Sequence, residues 1–71
     1  MKTIYKYVYF EVIEEKPKTK VWGCFTNAGH SKLGEVKYYI WRQYCFFPTP
    51  DTVFSTGCLD DIKHFIGQLN K

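Results

Sequence analysis

The chain has 71 residues, with ten basic and seven acidic side chains giving a formal charge of +3, and is 45% hydrophobic and 20% aromatic. That length admits one domain, residues 1–71, with a core supplying roughly 3 to 5 kcal/mol of net stability, and so much buriable surface excludes a disordered chain. The mild positive balance favours anionic partners but falls short of a dedicated DNA-coating protein.

Cys24, Cys45 and Cys58 are an odd set, and no signal-peptide core precedes them. The expectation is reduced thiols in a cytoplasmic protein rather than a secreted disulfide framework. The apolar runs are far shorter than the about 20 residues that span a bilayer, so no membrane segment is expected.

Residues 3–13 (TIYKYVYFEVI) alternate as a strand does, with Ile4, Val8, Phe10 and Val12 on one face and Tyr5, Tyr7, Tyr9 and Glu11 on the other. Residues 14–18 (EEKPK) form a polar connection around Pro17. A second strand over residues 20–26 sets Val21, Gly23 and Phe25 against Lys20, Trp22 and Cys24, and the Asn and Gly of residues 27–31 (NAGHS) close a hairpin. A third strand over residues 33–39 bends at Ile40 and Trp41 into a fourth over residues 42–47 (RQYCFF). The prolines of residues 48–51 (PTPD) end it, and residues 52–54 (TVF) are placed to add a short return strand. Ser55 or Thr56 then caps a helix whose Cys58, Leu59, Ile62, Phe65, Ile66 and Leu69 fall at spacings of three and four. Asp60 and Asp61 near its start and Lys71 near its end suit the helix dipole.

The expected fold is therefore α+β: an antiparallel β-meander of four to five strands with one C-terminal helix packed on one face. The other face stays half-exposed, where tyrosines combine packing area with a wet hydroxyl.

Three blocks in order, TKVWGCFTN, LGEVKYYIWRQYCFFP and TVFSTGCLDDIKHFI, carry a resemblance that covers residues 16–69. On them the chain resembles a set of small proteins of bacteriophages, prophages and their hosts. The middle block, Trp41 to Pro48 above all, is the most specific. The chain departs at Ile40, where the pattern expects a more turn-like residue. The resemblance implies a mobile-element origin and brings no activity with it.

Catalytic readings are weak on the residues themselves. Cys45 would need His30 or His64 beside it to become a thiolate, yet it lies among aromatics in a strand, where cysteine serves as a small hydrophobe. Cys24, His30, Cys45, Cys58 and His64 are zinc donor types without a CxxC or HxxxH pair. Asp60 and His64 are four apart, the spacing of a surface ion pair. The five glycines are scattered singly, with no phosphate loop. No enzyme, metal or cofactor is expected.

What remains is aromatic and basic: Tyr5, Tyr7, Tyr9, Trp22, Tyr39, Trp41 and Tyr44 interleaved with Lys6, Lys20, Lys37 and Arg42. Rings that stack on bases and cations that hold phosphates make a nucleic-acid or nucleotide surface, and the candidate site is Arg42, Trp41, Tyr44, Trp22, Tyr39, Lys37 and Lys20. Arg42, the only arginine, has a planar fork suited to phosphate or carboxylate. The competing reading is a protein-interaction module or inhibitor acting on a host protein such as a defence factor, since Tyr, Trp and Arg also dominate protein hot spots. A homodimer is a third outlet for the same face, and plain packing would leave the rings with no ligand at all.

Overall fold

The structure, a computed structural model, describes residues 1–39 and 42–71. Ile40 and Trp41, and with them the bend expected there and the role given to Trp41, lie outside the described residues. The elements are β1 (Val8–Glu15), β2 (Lys20–Thr26), β3 (Lys32–Tyr39), β4 (Gln43–Pro48) and α1 (Thr56–Leu69). The strands form one antiparallel sheet in the order β1-β2-β3-β4, the expected meander with four strands.

Side chains directly opposite each other in an antiparallel pair point to the same face, so the register assigns both faces. Val12, Trp22, Val36 and Phe46 form one row across the sheet, and Phe10 and Cys24 stand in the next. Helix α1 covers this side. Phe65 stacks flat on Phe10, with centroids 3.9 Å apart and planes at 2°, and meets the Trp22 ring edge to face at 5.1 Å. Tyr5, Val8, Leu33 and Ile62 complete the core. Ser55 begins the helix, its Oγ accepting from the Cys58 amide at 3.2 Å, which satisfies one of the orphan donors of the first turn. Leu59, expected in the apolar stripe, is instead exposed.

Two further expectations change. Residues 52–54 form no strand: Val53 is exposed, while Phe54 reaches back to the Phe46 ring at 5.6 Å. The β4 edge they would have joined is occupied at Tyr44, whose amide donates to Asn70 Oδ1 at 2.6 Å and whose carbonyl accepts from Asn70 Nδ2 at 3.0 Å. Pro48 has no amide proton to offer beyond it.

The alternation of residues 3–13 also breaks. The Tyr5 amide donates to the Val8 carbonyl and the Phe10 amide to the Thr3 carbonyl, so residues 3–7 fold back along the outer edge of β1. The reversal turns Tyr5 into the core, 7% exposed, and Ile4 outward, 71% exposed, the opposite of the expected faces. Asn27 fastens this segment, its Nδ2 donating to the carbonyls of Tyr5 and Lys6. Among the described residues no helix is long and apolar enough to cross a membrane.

Candidate functional site

The sheet face away from α1 carries Tyr9 and Phe25, then Glu11, Gly23, Glu35 and Phe47, then Lys37 and Cys45, and last Tyr39 and Gln43. After the bulge in β1, Glu14 opposite Val21 joins it, and Lys32 opposite Phe25 does so from β3.

Its floor depends on one glycine. A Cβ built on Gly23 would lie 2.6 Å from Phe25 Cε2 and 3.1 Å from Ile13 Cγ2, so the absent side chain is what lets the Phe25 ring lie over the strand. Tyr9 stacks beside Phe25 at 5.4 Å and 23°, and its hydroxyl is 2.9 Å from His30 Nδ1. At the other end Tyr39 meets Phe47 edge to face at 5.3 Å, and the Lys37 ammonium sits 4.7 Å over the Phe47 ring.

Carboxylates outnumber ammonium groups on this face. Glu35 takes Lys32 at 2.6 Å and Lys37 at 3.7 Å. The hydrogen bond from Lys32, followed by the charges of both lysines, holds the Glu35 carboxyl below its usual range against the opposing effect of partial burial. With Glu11 and Glu14, three carboxylates face two ammonium groups.

The candidate residues divide between the two faces. Tyr39, 46% exposed, and Lys37 share the open one. Trp22 does not: it is 9% exposed under α1, and a ring packed on Phe65 offers no face to a base, which corrects its assignment as a stacking residue. Its Nε1 has no hydrogen-bond partner among the described residues. Tyr44 stands on the helix side too, half-buried, with the Lys20 amide donating to its hydroxyl at 3.3 Å. Lys20 pairs with Glu15 at 3.8 Å. Arg42 is exposed at the β3–β4 turn, its amide donating to the Tyr39 carbonyl, with its backbone in the left-handed region at φ 58°. Phe25, Phe47 and Tyr9, which make most of the open face, were assigned no role as a group from sequence; the parity of Val21, Gly23 and Phe25 was the signal.

The nucleophile and metal candidates are dispersed. His30 faces Tyr9 and His64 faces Tyr5, so neither imidazole pairs with Cys45, whose thiol is directed to the Gln43 carbonyl at 3.7 Å. Burial, followed by the charges of Cys58 and Asp61, pushes the Cys24 thiol up to about 12. Asp60 and His64 form no ion pair among the described residues; Asp61 instead accepts from the Tyr7 amide at 3.3 Å. No three His, Cys, Asp or Glu side chains gather among the described residues.

Compared with models of known protein families, with curated proteins and with solved structures, the chain gives no significant match.

Proposed function

We propose that the chain is a non-catalytic binding module whose open sheet face contacts another protein. The carrying observation is the pairing of Lys32 and Lys37 with Glu35 beside an aromatic cluster of exposed Tyr39 and half-buried Phe47. Phosphate recognition needs cations free to exchange their counterions for the ligand, and these two already have a carboxylate. An aromatic surface of paired charges with an arginine at its rim has the composition of a protein hot spot. Tyr39 and Phe47 are the anchors, and Arg42 is a rim contact to an acidic group. On the resemblance to bacteriophage proteins, the partner is a host protein, a defence factor being the natural class.

The test is retention of cell lysate on the immobilised chain at low and at moderate salt. Protein that stays bound as salt rises is the expected result. Nucleic acid stripped off by salt, with no protein retained, would return the face to the nucleotide reading.

A further inference from the structure

On the far side of the molecule, Lys63, His64, Gly67, Gln68 and Lys71 line an open cavity of about 400 Å³ on the outer surface of α1 and the residues following it. Lys63 and Gly67 stand one turn apart on α1, and Lys71 lies just past the helix end at Leu69. Glycine inside a helix is unfavourable relative to alanine, and packing does not explain this one: a Cβ on Gly67 would meet nothing within 4 Å. The residue keeps the floor of the notch open.

The walls are held in place. The Tyr5 oxygen accepts from Gln68 Nε2 at 3.1 Å and lies 2.7 Å from His64 Nδ1, closer than the 3.4 Å to the Lys2 carbonyl. In the tautomer in which Nδ1 accepts from the Tyr5 hydroxyl, Nε2 carries a proton, and because His64 is exposed that N–H is a donor to solvent. The Gln68 amide also takes the Lys2 backbone at both ends, at 2.8 Å each, which brings a third lysine against the notch. Its ammonium lies 4.8 Å over the Tyr5 ring. Lys2, Lys63 and Lys71 make no ion pair among the described residues, unlike the sheet lysines, and no carboxylate side chain lines the cavity. The negative end of α1 is close by, so the cations must outweigh it.

We propose that this notch binds a phosphate group, with Lys63 and Lys71 supplying charge, His64 Nε2 a directed donor, and Gly67 the space. The site is separate from the sheet face, and either can fail without the other.

The experiment follows backbone amide resonances of the whole chain by NMR while inorganic phosphate, a nucleoside monophosphate and a short single-stranded oligonucleotide are added in turn. Saturable shifts at His64, Gly67 and Gln68 are expected. Lys63→Gln and Lys71→Gln should each weaken binding by about tenfold, the loss of one charge-assisted contact. Gly67→Ala should weaken it while raising the melting temperature, which separates site from fold. Binding by nucleotide and inorganic phosphate alike identifies a terminal phosphate as the ligand, and binding by the oligonucleotide alone identifies a backbone phosphodiester. No saturable shift at Gly67 with any of the three, or shifts indifferent to both lysine substitutions, would overturn the proposal. Tyr39→Ser should leave these shifts unchanged.

Discussion

Asn70 lies against Tyr44 as another strand would, its side-chain amide accepting from the Tyr44 N–H and donating to the Tyr44 C=O. One residue just past the helix thereby caps the β4 edge at Tyr44 and ties the end of α1 to the sheet. Asn70→Ala should cost about 1 to 2 kcal/mol, two hydrogen bonds to backbone groups, and should also raise concentration-dependent association by opening a strand edge. Chemical denaturation and light scattering on the same samples check both.

The Phe10–Phe65 stack is the centre of the helix–sheet contact. Phe65→Ala should cost about 3 to 5 kcal/mol, comparable to the whole stability of a chain this size, and leave it largely unfolded at room temperature. Circular dichroism would show the loss.

Glu35 couples stability to pH. Its folded pKa lies below the unfolded value, so its contribution is fully present above the unfolded carboxylate range and is lost as pH falls through the folded pKa. Glu35→Gln should remove that acid-side dependence. By freeing Lys32 and Lys37 it should also create a salt-sensitive affinity for oligonucleotides that the parent face lacks, measurable by fluorescence anisotropy.

Arg42 offers a substitution that separates backbone from side chain. A non-glycine residue at φ 58° is strained by about 1 kcal/mol, so Arg42→Gly should leave the fold as stable or slightly more so while weakening partner retention. A variant that retains its partner fully would remove Arg42 from the interface.

The cysteines report which face is covered. Cys24, buried and with its thiol raised to about 12, should resist alkylation at neutral pH until the chain unfolds, whereas Cys45 on the open face should react in the native state. Mass spectrometry of peptides labelled before and after denaturation reads this directly.

Much of the fold was legible because its signals are local. The spacing of Ile62, Phe65, Ile66 and Leu69 and the cap at Ser55 give α1, and the turn residues around Gly29, at φ 82°, give the β2–β3 hairpin. The covered face was not legible, because Trp22 and Cys24 on one side of β2 are no more apolar than Val21 and Phe25 on the other, and period-two alternation is silent when both sides are hydrophobic. Tyr5 was misplaced because a reversal between it and Val8 flips the alternation, and that reversal is held by Asn27, distant in sequence. The site suffered in consequence: Lys37 and Tyr39 were found, but the neutralisation of Lys37 by Glu35 needs the sheet's geometry.

Tyr39 and Phe47 are the proposed anchors of a protein partner. This role is tested most directly by comparing lysate capture by the parent chain with capture by a Tyr39→Ser, Phe47→Ser variant, both confirmed as folded by circular dichroism. Leu59→Ser, an exposed position on the helix, serves as the control. A protein retained by the parent and by the control and lost from the sheet-face variant is the expected result. Equal retention by all three would contradict it.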